Sequence, residues 1–283
     1  MKMNLNNGIV SIEISKHGAE LKSAVKDGYE YMWCGNEKYW GRTSPVLFPF
    51  VGGLKDKSYI LDGKKYPMGQ HGFARDFDFE LVESAESSAT YILKSNEETM
   101  CVYPFEFELY IKYTLINSDI NIEWKVVNKN QRVMSFSIGA HPAFNLKDGV
   151  NYFKFDSQND IVYNLIDENG LCVKNNKYTL KNDGYVKIES DMFDNDALII
   201  ENNQAQEVLL CDSEKKPYVR VKFTAPLFGL WSPAKKNAPF VCIEPWYGRC
   251  DGTDFCGEIS ERDYIINLEA GKSFDAGYRI ELL

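Results

Sequence analysis

Nowhere does this chain of 283 residues run to about 18 consecutive apolar residues, the length a helix needs to cross a bilayer, so no membrane-spanning helix is expected. Met1 to Asn7 holds no apolar stretch of the kind that opens a secretory signal, and export by that route is not expected. Basic residues are outnumbered: 32 Lys and Arg stand against 41 Asp and Glu, a formal net charge of -9, and no Lys/Arg cluster stands out. Phosphate backbones are bound mainly through clustered cations, so nucleic acid is a poor candidate partner. Paired Cys-x-x-Cys ligands are missing, and the seven cysteines (Cys34, Cys101, Cys172, Cys211, Cys242, Cys250, Cys256) are odd in number, scattered and mostly set in apolar runs. That speaks against a disulfide framework and a zinc site at Cys250 and Cys256, and for a reducing cytoplasm.

Catalytic signatures of several large classes are also absent. There is no Gly-x-x-x-x-Gly-Lys loop, no strand-linked Gly-x-Gly-x-x-Gly, no Gly-x-Ser-x-Gly elbow and no His-Glu-x-x-His helix. Kinase, dehydrogenase, serine hydrolase and helix-borne zinc chemistry lose ground accordingly. No capped amphipathic run of about twelve residues and no repeat of fixed period is visible, and no low-complexity linker divides the chain. Residues 1–283 therefore read as one domain, and a mainly β one.

What is present supports that reading. A hydrophobic fraction of 44%, with 14% aromatic residues, suffices for a packed core, and 26% charged residues keep the surface wet. Val10, Ile12 and Ile14 alternate with polar neighbours, the period of two of a half-buried strand. Asp62-Gly63 marks a hairpin between Tyr59 and Tyr66. Phe107, Leu109, Ile111, Tyr113 and Leu115 alternate up to Asn117-Ser118-Asp119, and Ile120, Ile122, Trp124 and Val126 alternate back, which predicts two long antiparallel strands. The same period in Met134, Phe136, Ile138 and Ala140 predicts one further strand that delivers His141 and stops at Pro142. Phe240 to Ile243 predicts a short strand with Glu244 at its end, again before a proline. A single helical turn is expected at Asn36 to Tyr39, and Asn151 to Asp191, weakly patterned, reads as peripheral.

Three stretches carry chemistry. Gln70-His71-Gly72-Phe73-Ala74-Arg75-Asp76 sets an imidazole, a guanidinium and a carboxylate within seven residues beside a glycine that lets another group approach. Taken alone it is equally a polar turn with a structural histidine. Laid beside Ala140-His141-Pro142-Ala143-Phe144-Asn145 and Cys242-Ile243-Glu244-Pro245-Trp246-Tyr247-Gly248, it supplies histidines and a glutamate at strand ends and loops, where distant parts of a sheet converge. An imidazole and a carboxylate on one substrate suffice to move protons between oxygens without a nucleophile. Their mutual attraction is expected to hold the histidine protonated and the glutamate ionised. A zinc site of both histidines and the glutamate, and a two-carboxylate glycosidase completed by Asp194, Asp196 or Asp251, remain open alternatives. Arg42, at the head of an irregular apolar segment, needs a partner or a cavity.

These stretches, together with Gly41-Arg42, Pro45-Val46-Leu47-Phe48-Pro49 and Asp196-Ala197-Leu198-Ile199, resemble in order and spacing the aldose 1-epimerase (galactose mutarotase) family, in its LacX-like branch, from about Ile9 to Leu283. The resemblance implies an all-β fold, a large antiparallel β-sandwich of the galactose mutarotase-like supersandwich type, with a sugar cleft across one sheet. It further implies Glu244 as the base on the anomeric hydroxyl, His141 as the acid on the ring oxygen and His71 as a second histidine near both. Arg42 and Asp196 then bind substrate, with Asp194 the alternative aspartate; by residue type Arg75 joins them as a further donor, and Trp246, with Phe144, Phe73 and Trp231, is a candidate to stack on the sugar ring. The implied reaction interconverts the anomers of an aldohexose without metal or cofactor, in a monomer or homodimer. Two alternatives stay open: a hexose 6-phosphate held by Arg42 and Arg75, and a carbohydrate-binding or sensing β-sandwich without turnover.

Overall fold

The long alternating hairpin forms as the sequence predicts. In this computed structural model, which describes residues 2–283 and the side chains of all of these but residues 175 and 176, Phe107–Ile116 pairs antiparallel with Asp119–Asn128, from Phe107 opposite Asn128 to Ile116 opposite Asp119. Asn117 takes the left-handed conformation at φ 53, which asparagine tolerates, so the turn needs only Asn117 and Ser118, and Asp119 already belongs to the strand. Leu109, Ile111, Ile122, Trp124 and Val126 turn inward and are buried. Each such side chain contributes about 1.5–3 kcal/mol of transfer free energy. The Asp62-Gly63 hairpin also forms, between Ser58–Leu61 and Lys64–Pro67.

The hairpin belongs to a nine-stranded sheet. Ser273–Leu282, near the C-terminal end, lies at its centre between Asp119–Asn128 and Pro217–Phe223. A second, eight-stranded sheet runs from Cys172–Leu180 through Ile161–Ile166, Leu198–Ile200, Leu227–Trp231 and Phe240–Tyr247 to Ile138–Ala140 and Val46–Leu47. Every pairing in both is antiparallel. Val241, Ile243, Phe228 and Leu230 of the smaller sheet pack with Leu109, Val126, Val221 and Ile280 of the larger in one apolar cluster, so the fold is a β-sandwich. Lys2–Asn6, Val10–Ser15, Leu21–Lys26 and Tyr29–Glu30 form a separate four-stranded sheet. The only α-helix among the described residues, Glu97–Val102, is capped by Asn96, and no helix is long and apolar enough to cross a membrane.

Four expectations need correction. Met134 to Ala140 is not one strand: Met134–Phe136 pairs with Ile266–Leu268, and after Ser137 the chain joins the other sheet as Ile138–Ala140. The Ser137 hydroxyl accepts the Val51 N–H at 2.9 Å, fixing the step. Pro142 interrupts the pairing rather than ending it: Ile138–Ala140 stops before it, but Ala143–Asn145 resumes on the same neighbour. Glu244 lies not at a strand end but within Phe240–Tyr247, which runs straight through Pro245. Finally, Asn151 to Asp191 is not merely peripheral. It supplies two strands to the smaller sheet, and Ile166 and Gly170 reach the cleft described below. The expected turn at Asn36 to Tyr39 is present, closed by the Tyr39 and Trp40 N–H groups on the Asn36 carbonyl.

Candidate active site

The outer face of the smaller sheet opens into a cleft of about 340 Å³, in the range of small-molecule sites. Its centre is an interrupted ladder. Ala143 stands opposite Cys242 and Gly139 opposite Trp246, two registers in phase with each other, which sets His141 opposite Glu244 where the pairing lapses. Pro142 and Pro245 fall in the lapse, where a missing N–H costs least. Cys242, Glu244 and Trp246 leave alternate positions of one strand and so share the cleft face, while Val241 and Ile243 enter the core. On the other side Glu244 faces Gly229, and any side chain there would strike Trp246, since a Cβ would come within 2.4 Å of its ring. A Cβ on Gly139 would come within 2.7 Å of the same indole, so Trp246 lies between two glycines.

His141 Nε2 approaches Glu244 Oε2 at 3.3 Å without hydrogen-bond geometry, and neither carboxylate oxygen nor His141 Nδ1 has another partner. The side chains are 9% and 1% exposed. Trp40 stacks on the His141 ring at 4.6 Å and 30°, and Trp231 meets it edge-on at 5.2 Å and 85°. Two charge states are thus in competition with burial. Burial, with Arg75 and Arg42 adding to it, pushes His141 down to about 3. Burial and the Asp196 charge push Glu244 well above the usual carboxylate range, against an opposing effect of the Trp246 indole N–H. The expectation of a protonated histidine beside an ionised glutamate is therefore corrected. Desolvation here outweighs mutual attraction and favours the neutral forms.

His71 is held differently. Its backbone N–H donates to the Gly52 carbonyl at 2.9 Å, and its ring Nδ1 accepts the Gly52 N–H at 3.1 Å. An Nδ1 that accepts carries no proton, so the neutral ring bears it on Nε2. Burial, then the neighbouring His141, Arg75 and Arg42, keep the ring neutral by pushing its pKa well down. The backbone makes this possible by a left-handed turn, φ 66 at His71 and 68 at Gly72, where a Cβ on Gly72 would lie 2.3 Å from the Phe48 carbonyl oxygen.

Arg42 and Arg75 line the same wall. Arg42 donates to Asp76 at 2.6 Å and Arg75 to the Gln70 carbonyl at 2.8 Å, while the buried Arg75 Nε lies 3.8 Å from the Asp76 carboxylate and makes no hydrogen bond. Burial and Arg42 push the Arg75 pKa down to about 10. Asp196 stands at the rim, and Trp246 lies on the floor, its Nε1–H near enough to Glu244 to favour the carboxylate but not aligned as a hydrogen bond. All seven site residues expected from sequence thus border one cleft. Asp194 does not: it accepts the Lys235 N–H at 3.2 Å and borders neighbouring hollows. Asp251 is committed to Arg262, and Phe73 and Phe144 are core residues. Sequence reasoning missed Trp40, Gln70, Ile166 and Gly170. Trp40 had a signal, an aromatic residue directly before Gly41-Arg42, but its stack on His141 is tertiary.

Residues 1–280 match the family model described as Aldose 1-epimerase. The chain is 31% identical over 299 residues to the plasmid-borne protein LacX of Lactococcus lactis, across the whole of both. A solved galactose mutarotase related enzyme from Lactobacillus acidophilus superposes with a TM-score of 0.95 at 37% identity, covering 100% of this chain and 97% of that one. A galactose mutarotase-like protein from Lactobacillus casei gives 0.91 at 28% identity over the whole of both chains. The sandwich is thus the galactose mutarotase-like supersandwich, as the resemblance implied.

Proposed function

We propose that this chain, which belongs to the aldose 1-epimerase family, interconverts the α and β anomers of a free aldohexose by opening and reclosing the sugar ring. The observation that carries the reading is the buried, otherwise unpartnered His141 and Glu244 facing each other at 3.3 Å. The anomeric and ring oxygens share one carbon, so an acid and a base this close address both at once. When a sugar enters, its anomeric O–H donates to Glu244 and favours the carboxylate that burial had opposed, so the Glu244 proton passes to His141, 3.3 Å away, and an imidazolium then stands beside a carboxylate. Glu244 takes the hydroxyl proton, the C1 to ring-oxygen bond breaks, and the ring oxygen takes the proton of His141. Rotation about C1–C2 and reclosure with the roles reversed return both protons and give the other anomer. Every proton is accounted for between two side chains and the sugar, so the cycle balances without a cofactor.

In this reading His71 donates through Nε2–H and Arg42 and Arg75 donate to sugar hydroxyls, while Asp196 accepts from one and the Trp246 face packs on the ring. A second reading has its own observation. Two guanidinium groups on one wall, one with a buried N–H that makes no hydrogen bond, suit a sugar phosphate. Polarimetry on freshly dissolved α-D-glucose, α-D-galactose and glucose 6-phosphate separates the two. Acceleration with a free sugar is expected; acceleration with the phosphate alone makes Arg42 and Arg75 the specificity site. No acceleration with any of them, but sugar-dependent melting shifts, would leave a binding module.

A further inference from the structure

Cys242 stands two residues before Glu244 on one strand, so both side chains leave the sheet on the cleft face. The Cys242 sulfur, a His141 ring nitrogen and a Glu244 carboxylate oxygen all lie within 4.8 Å of one another. All three residues are buried, and both Glu244 oxygens and His141 Nδ1 lack hydrogen-bond partners. The acid and base pair therefore does not use everything the cluster offers. Thiolate, imidazole and carboxylate are the mixed donor set that zinc and its neighbours take, with a fourth position left to an outside ligand. Ligand atoms of a tetrahedral zinc ion stand roughly 3.3–3.7 Å apart, given bond lengths of about 2.0–2.3 Å. The His141–Glu244 approach of 3.3 Å already meets that, and the sulfur needs only a side-chain adjustment of about 1 Å to join. A thiolate and a carboxylate also neutralise a divalent ion, which offsets the nearby Arg42 and Arg75.

We propose that His141, Cys242 and Glu244 form a binding site for a zinc-class divalent ion, open to the cleft at the fourth position, whose occupation shuts the enzyme off. Cys242 gives up its thiol proton and Glu244 its carboxyl proton to solvent as the metal binds, and no electrons change hands. The ion takes the two side chains that carry protons in turnover, so metal and sugar exclude each other. The inhibitory half rests on the acid and base roles proposed above; occupancy of the site does not.

Titration of the full chain with Co²⁺ tests occupancy directly. A thiolate-to-cobalt charge-transfer band with tetrahedral d–d absorption should appear, saturate at a single equivalent and vanish when Zn²⁺ is added. Cys242→Ser should abolish the charge-transfer band, whereas Cys172→Ser and Cys250→Ser should keep it. His141→Asn, which does not alter the buried thiol, should weaken cobalt binding at least about tenfold, the scale seen when the surroundings of a metal site are disturbed. No charge-transfer band in the unsubstituted protein at excess cobalt overturns the proposal, as does a band lost from Cys250→Ser and kept in Cys242→Ser. Unchanged cobalt affinity in His141→Asn overturns it too. Mutarotation is followed in parallel: full activity at saturating Zn²⁺ refutes the inhibition, while a metal-free chain inactive on every sugar refutes the catalytic reading and leaves the cobalt result standing.

Discussion

Two buried ionisable centres in this molecule are built in opposite ways. At one, Arg262 donates to Asp251 at 2.6 Å, with side chains 2% and 4% exposed. The second Asp251 oxygen accepts the Lys55 N–H, and Arg262 donates again to the Arg249 carbonyl. Arg249 in turn donates to Glu201, to Asp263 and to the Cys250 carbonyl. At the other, His141 and Glu244 face each other with no good hydrogen bond between them and none from elsewhere to either carboxylate oxygen. A charge that the fold saturates holds loops together. A polar group that it leaves unsaturated stays available to a ligand, and costs stability of about 1–3 kcal/mol while it waits.

The sharpest break between the centres is in turnover. His141→Asn should lower mutarotation by about 10²–10⁴-fold, the usual worth of a general acid, with the denaturation midpoint held. Next comes stability: Arg262→Met should cost about 3–5 kcal/mol in urea unfolding, because it strands the Asp251 carboxylate in the interior. Should that variant unfold with its parent, Asp251 does not hold the loops and the contrast fails. Trp40→Leu removes the ring stacked on His141. It should lower kcat by about two- to tenfold at little cost in stability, matching about 0.5–1.5 kcal/mol for such a ring pair.

The smallest effect concerns acid stability. Burial pushes the Asp263 carboxyl up, but the Lys174 hydrogen bond and the Arg249 charge overcome it and hold its pKa below the ordinary value. A carboxyl depressed in the folded state adds stability that is present above its unfolded pKa, about 3.9, and is lost as pH falls through the folded value. Asp263→Asn should therefore be less stable at neutral pH and lose less on acidification through that window; an acid limb identical to the parent's would remove Asp263 from the network.

The fold was legible where alternation is strong. Phe107 to Val126 gave its hairpin because every second residue is apolar and Asn117 can turn. It was not legible where the chain changes sheets: nothing in Met134 to Ala140 announces that Ser137 hands the strand from one neighbour to another. At the site, His141 and Glu244 could be singled out by residue type and by their prolines, yet only the register shows them opposite each other. Their ionisation was misread because attraction can be guessed from residue identities, whereas desolvation depends on Trp40, Trp231 and Trp246 closing around them. Ile166 and Gly170 escaped because their segment lacks a clear period and reaches the cleft only through pairing.

The most direct measurement is Glu244→Gln, read twice on one preparation, by polarimetric mutarotation and by thermal melting. The account predicts a rate loss of about 10²-fold or more with a melting temperature equal to or above the parent's, since an unpartnered buried carboxyl is exchanged for a neutral amide. A rate close to the parent's, or a rate loss that only accompanies a collapsed melting temperature, would contradict it.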